Sequence, residues 1–270
     1  MASVNTNYSA LVATQVLAKT NRDLADVQGR ISTGLKVASA KDDAATYGIA
    51  QGQRARIGGL NAISTGIDRG SNILSITQVA GAAISETLVK LVEKARALEG
   101  GGLSTDQQNA YIAEYTALQN SIATSVASAT FNGSNLIAAT GANVTVNVND
   151  ATTGNTLVLT SVALTAAGLS IATTITAANA AAQRALVETA ITTVSTALGT
   201  FGAQANILED QKAFIDSLAD VVEKGVGQLV DADLAKESAR LQSLQVKQQL
   251  GAQALSVANQ TPQVILSFFQ

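Results

Sequence analysis

Apolar residues recur along most of this chain at alternating steps of three and four, the spacing that keeps them on one face of an α-helix. The longest run is Leu60, Ile63, Ile67, Gly70, Leu74, Thr77, Gly81, Ile84, Leu88, Leu91, Ala95 and Leu98. Only small residues breach this seam, so it predicts one helix about 58 Å long at 1.5 Å per residue. "EGGGLST" at 99–105 ends it, and Ser104 or Thr105 with Asp106 is placed to cap a second helix through Tyr111, Ile112, Tyr115, Leu118, Ile122 and Val126. These two helices are expected to lie antiparallel. A shorter stripe at the start uses Val4, Leu11, Leu17, Leu24, Val27 and Ile31 and stops at Gly34. Another passes through Leu198, Phe201, Ala205, Leu208, Ile215, Leu218, Val222 and Leu229, breaks at "DAD" (231–233), and continues through Leu234, Leu241, Leu244 and Leu255.

The period changes in the middle. Val144, Val146 and Val148 alternate with polar residues, "NDATTGN" supplies a turn, and Leu157 and Leu159 alternate again, which predicts a β-hairpin. An Ala-rich stretch resumes helix near residue 177. The expected fold class is mainly α: a long antiparallel helical bundle or coiled coil formed by the N- and C-terminal arms, with a small β-hairpin region in the middle.

Composition narrows the function. Neither Cys nor His occurs in the 270 residues, which removes thiol nucleophiles, His general bases and nearly every zinc site. No enzyme activity, cofactor or metal is expected. The net charge of −3 offers no basic surplus for a phosphate backbone, so nucleic acid is not a partner. Aromatic residues make up only 3%, so burial rests on many small side chains along extended contacts. The run from Gln248 to Gln270 contains too many Gln, Asn and Ser residues to cross a membrane. No charged residue precedes Lys19, so the basic segment of a cleaved signal peptide is missing.

The ends share one property. Residues 1–18 carry no charged side chain, and Lys247 is the only one after Arg240. Amphipathic, uncharged helices of this kind are marginal alone and bury no unpaired ion when packed among copies of themselves.

Several local patterns have plainer readings than the chemistry they suggest. "GRISTGLK" (29–36) lacks the Lys-Ser/Thr ending of a phosphate loop and reads as a helix ending on a Gly cap. Asp42 and Asp43 are neighbours that point apart on a helix, and read as first-turn acids opposing the helix dipole. "FNG" at 131–133 reads as a tight turn, and the sequons at Asn132 and Asn143 are common by chance. Phe268 and Phe269 suggest an intermolecular contact near the C-terminus.

Taken together, "VNTN" (4–7), "RISTGLKVASAKDDAA" (30–45), "IAQG" (49–52), the "EY…FNGSNL" region (114–136), "GAQANILE" (202–209), "DADLAKESARLQ" (231–242) and "QQLGAQALSVANQ" (248–260) resemble the bacterial flagellins. The resemblance implies a structural subunit that polymerises into the extracellular flagellar filament for swimming motility. Residues 1–33 and 235–270 would form an inner terminal-helix layer, 34–41 and 230–234 its connectors, and 42–140 with 184–229 a helical-bundle layer. Residues 141–183 would be a β-hairpin and loop insert at the outer end of that layer, making this a minimal form without large outer domains. Leu11, Leu17, Leu24, Ile31, Leu241, Leu244, Leu255 and Phe268 are the expected self-assembly core, disordered in the free subunit and ordered by neighbours. Gly34, Lys36, Lys41, Asp42 and Asp43 are the expected layer junction, with the two connectors each joining independent helices.

Implied partners are the chain itself, sibling flagellins, the flagellar export apparatus with a secretion chaperone, and filament cap and junction proteins. Lys90, Val92 and Glu93 stand where some flagellins present two Arg and a Glu to a Toll-like receptor, so receptor recognition is not expected. A hook–filament junction protein is the nearest alternative, and a chemoreceptor-like signalling hairpin a more distant one.

Overall fold

The computed structural model describes residues 6–150 and 156–266, with side-chain surroundings as far as Gln260. The elements run α1 (Tyr8–Thr33), α2 (Ala44–Glu99), α3 (Thr105–Ser128), β1 (Val144–Asn147), β2 (Thr156–Leu159), α4 (Ala180–Val230) and α5 (Leu234–Leu266). They form two compact units. The first holds the residues up to Ala55 and from Val221 onward, and the second holds Arg56–Asp220.

In the second unit α2, α3 and α4 share one core. Every residue of the Leu60–Leu98 seam is buried except Ile63, which is half-buried. Two seam glycines mark where other elements press closest. A Cβ at Gly70 would lie 2.8 Å from Val146 Cγ2 and 3.2 Å from Leu208 Cδ1, and one at Gly81 would lie 2.7 Å from Leu198 Cδ2. Opposite charges tie α4 alongside α2: Arg184 meets Glu99 at 3.0 Å, Arg96 meets Glu188 at 3.3 Å, and Lys212 meets Asp68, while Arg184 also bonds Glu188 one turn along α4 at 2.8 Å. Helix α3 starts on a capping box: Gln107 N–H donates to Ser104 Oγ, and the Gln107 side chain accepts from Ser104 N–H.

The hairpin pairs Val144 with Leu159 and Val146 with Leu157, in antiparallel register. Val146 and Leu159 point into the core, as the alternation predicts. The hairpin lies along the bundle wall rather than beyond the helix ends. Gly70 leaves room for it there, and Gln204 and Gln211 of α4 donate to the carbonyls of Val158 and Val148. Between β2 and α4 the chain is pinned by buried Leu164, Leu169, Ile171 and Ile175 and by two buried glutamines. Gln119 donates to Ala172 O at 2.6 Å, and Gln183 Oε1 accepts from Ala172 N–H at 3.2 Å. Phe131 and Ser134 close the expected tight turn, with Asn132 and Gly133 at positive φ.

Candidate self-assembly surfaces

In the first unit α1 and α5 pack antiparallel along a seam of three-and-four spacing. On α1 the seam is Ala10, Ala13, Leu17, Thr20, Leu24, Val27 and Ile31; on α5 it is Glu237, Leu241, Leu244, Gly251, Leu255 and Ala258. Three contacts fix the register. Leu17 Cδ1 would lie 3.3 Å from a Cβ at Gly251, Asn21 Oδ1 accepts from Gln248 Nε2 at 2.8 Å, and Asn7 Nδ2 donates to Ala258 O at 2.8 Å. Asn7 also caps α1, accepting from Ala10 N–H at 3.0 Å.

Leu17, Leu24, Ile31, Leu241 and Leu255 are half-buried and Leu244 is buried, all on the seam within one chain. Leu11 faces outward and is 55% exposed. Its stripe mixed two faces, because Leu11 lies six residues from Leu17, about 120° off the seam. Leu229 and Leu234 are likewise exposed, and Val226, Val230 and Glu237 take the buried places instead. Phe268 lies outside the described residues.

Sequence reasoning missed the outward apolar rows, one on each of these two helices. Tyr8, Leu11, Val12 and Val16 of α1 and Val246 and Leu250 of α5 are exposed, and no charged residue stands on α1 before Lys19. Reading α5 for a second stripe, at Val246 and Leu250, would have found its half.

The connectors meet. Gly34 ends α1 in the left-handed region (φ 72°), its N–H donating to Arg30 O at 2.9 Å, as the Gly cap predicts. Lys36 and Val37 then donate their backbone N–H groups to Val230 O at 2.6 and 3.2 Å, and Ala232 N–H donates to Gly34 O at 2.8 Å. The two connectors therefore do not join helices independently; backbone hydrogen bonds hold them together. Val37, Val226 and Val230 are buried in this region. Arg30 reaches Glu237 at 3.5 Å.

Neither Asp42 nor Asp43 stands in the first turn of α2, which contains no acid. Asp43 precedes the helix and caps it, accepting from the Thr46 hydroxyl at 2.6 Å and from the N–H groups of Thr46 and Ala45. Asp42 turns back onto the connector, accepting from Ser39 N–H at 2.9 Å and from the Ser39 hydroxyl and Ala38 N–H at 3.1 Å. Those bonds, Ser39 foremost for Asp42 and Thr46 foremost for Asp43, hold both carboxyls below the usual range. Lys36 and Lys41 are exposed and enter no ion pair among the described residues.

Among the described residues no group of His, Cys, Asp or Glu could hold a metal, and no helix is long and apolar enough to cross a membrane. The arrangement is one of packing surfaces. Residues 4–142 match the bacterial flagellin N-terminal helical region, and residues 185–269 match the bacterial flagellin C-terminal helical region. The chain is 40% identical to flagellin FljM of Caulobacter vibrioides over 99% of its own length and 98% of the relative's. It is 35% identical to a flagellin of Brucella melitensis over the whole of both chains. The crystal structure of Bacillus cereus flagellin superposes with a TM-score of 0.51 at 22% identity, covering 54% of this chain and 86% of that one, which supports the fold alone. With both helical regions matched and relatives aligned end to end, the chain belongs to the bacterial flagellins.

Proposed function

We propose that this chain is the structural subunit of an extracellular flagellar filament, built from copies of itself and serving motility. Family membership over the full length supports that role, and flagellins are filament proteins, not enzymes. Neither the junction protein nor the receptor hairpin gains support, because flagellins of nearly the same length align throughout.

The observation that carries the mechanism is the pair of apolar rows, Tyr8, Leu11, Val12 and Val16 on α1 and Val246 and Leu250 on α5, exposed on terminal stretches (1–18 and 241–270) whose one charged residue is Lys247. Neighbouring copies cover these rows, and ordering of the terminal helices is coupled to that covering. The seam residues Leu17, Leu24, Ile31, Leu241, Leu244 and Leu255 hold α1 against α5 and so present the rows. The backbone-bridged connectors at Gly34–Asp43 and Asp231–Asp233 join the terminal layer to the bundle layer.

Several Caulobacter flagellins are about equally similar to this chain, which supports co-assembly with sibling subunits. Passage through the flagellar export apparatus with a secretion chaperone, and contact with cap and junction proteins, follow from the same family role. The absence of cysteine suits threading of an unfolded chain.

The test uses the full chain, dissociated by heat, cooled and viewed by negative-stain microscopy. Wild type forms filaments. Leu250→Asp stays monomeric with the helicity of the dissociated wild type, since a carboxylate would be buried between copies without a partner, at a cost of about several kcal/mol. Normal filaments from Leu250→Asp would remove the α5 row from the mechanism.

A further inference from the structure

The second unit holds a cleft of about 360 Å³, all of whose lining residues belong to that unit. Helix α2 forms its floor with Ile63, Gly66 and Ile73, and the Phe131–Ser134 turn and strand β1 form its walls. Arg69 is the one charged residue among those lining it. Its guanidinium has no carboxylate to meet. It enters no ion pair among the described residues, and Asp68 beside it is taken by Lys212 of α4. The places one turn away hold Thr65, Gly66, Asn72 and Ile73, none of them acidic.

Around the guanidinium stand hydrogen-bonding groups that are equally unengaged. The side chains of Asn132, Ser134, Thr145 and Asn147 line the cleft, and none of them bonds to another described residue. Each hydroxyl and each amide can both donate and accept. The wall adds more. Strand β1 pairs with β2 along one edge, β2 contributes nothing to the lining, and the other edge of β1 makes no backbone hydrogen bond with any described residue.

One cation, several two-way hydrogen-bonding groups and an apolar floor select a particular chemistry. The guanidinium fork fits a carboxylate, and a single positive charge balances one carboxylate better than the nearly two charges of a phosphate monoester. The hydroxyl and amide groups fit a ligand rich in hydroxyls, while Phe131, Ile63 and Ile73 offer an apolar face to ring carbons. Four strand residues span about 13 Å, long enough for one or two pyranose rings. An extended peptide paired to β1 would meet the edge backbone but brings no array of hydroxyls to Asn132 and Ser134 on the turn, so a sugar is favoured.

We infer that this cleft binds a carboxylated saccharide, with Arg69 holding the carboxylate and Asn132, Ser134, Thr145 and Asn147 holding the ring hydroxyls. The site lies within the bundle unit and is independent of the filament reading.

The test titrates the full chain, dissociated by heat and isotope-labelled, with D-glucuronate and follows backbone amide signals by NMR. Signals of residues 132–134 and 144–147 should shift and saturate at about millimolar concentration, the range for a ligand of this size. Glucose, which lacks the carboxylate, and acetate, which lacks the hydroxyls, should each bind at least about tenfold more weakly. Arg69→Gln should lower glucuronate affinity about tenfold, to the level of glucose, with helicity unchanged. A Cβ at Gly66 meets nothing within 4 Å, so Gly66→Leu should fill the cleft without disturbing the fold and abolish binding. A galacturonate trimer separates two sources of the same chemistry: tighter binding than the monomer points to a glycan chain, equal binding to a free sugar acid, and either upholds the site. No saturable shift with glucuronate overturns the proposal. So does acetate binding as tightly as glucuronate, an unchanged affinity in Arg69→Gln, or an acidic peptide that shifts these signals where glucuronate does not.

Discussion

Tyr115 is the largest fully buried side chain of the second unit, and its hydroxyl finds no hydrogen-bond partner among the described residues. Burial pushes that phenol up to about 12. The neutral form is favoured in the fold, so its stabilisation is complete below the unfolded value of about 10 and is lost as pH rises towards the folded one. Tyr115→Phe removes an unpaired polar group at constant shape and should leave stability equal or up to about 1 kcal/mol higher in urea titrations at pH 7. Above pH 10 the variant's advantage should widen. Gly70 is the opposite case, a position where any side chain is too much. Gly70→Ala drives a methyl into Val146, a β-branched residue on a strand, and into Leu208. Overpacking outweighs the gain in helix propensity, so a net loss of about 1 kcal/mol or more is expected by chemical denaturation. Gly81→Ala, facing the flexible end of Leu198, should lose less. The spacing marked both glycines as seam positions, but what presses on them comes from residues more than sixty positions away.

At the level of elements, the long seam of α2 was legible because its large apolar residues are dense and sit on one face. The α1 seam was not, because Ala10, Ala13 and Thr20 occupy places where a count of large residues sees nothing, and Leu11 drew the stripe to the wrong face. Stepping back from Ile31 by three and four recovers the correct set. The connector shows what local patterns miss: Gly34 reads as a cap from its own neighbours, whereas its pairing with Ala232, like that of Lys36 and Val37 with Val230, spans nearly two hundred residues. Asp42 and Asp43 lock the second half of that connector, and both carboxyls are held below their ordinary value of about 3.9. Their contribution is therefore complete above that value and is lost as pH falls through the lower folded one. Hydrogen-exchange protection at Ala45 and Thr46 should drop on acidification in the wild type. In Asp43→Asn, whose side chain also caps but does not titrate, the drop should be absent.

For the whole molecule, the division into two units implies that the terminal helices can be removed without unfolding the bundle. The second unit has its own continuous core, from Leu60 to Ile215, and no residue beyond Asp220 belongs to it. Trimming residues 241–270 should leave a soluble, helical protein by circular dichroism that forms no filaments by microscopy. Normal filaments from that fragment would contradict a polymer built on the terminal helices.

The kinds of element, their order, the caps at Gly34 and Ser104 and the hairpin were set by the sequence alone, because each depends on periodicity or on neighbours within a few residues. The lack of charge at both ends was equally plain and carried the expectation of self-association. Only the tertiary structure decided which apolar residues stay outside once α1 and α5 have packed. Leu244 and Leu250 are the same residue type on one helix, six positions apart; one is buried by the partner helix, the other faces water. Burial is a property of what lies opposite, and what lies opposite Leu244 is supplied by the other end of the chain.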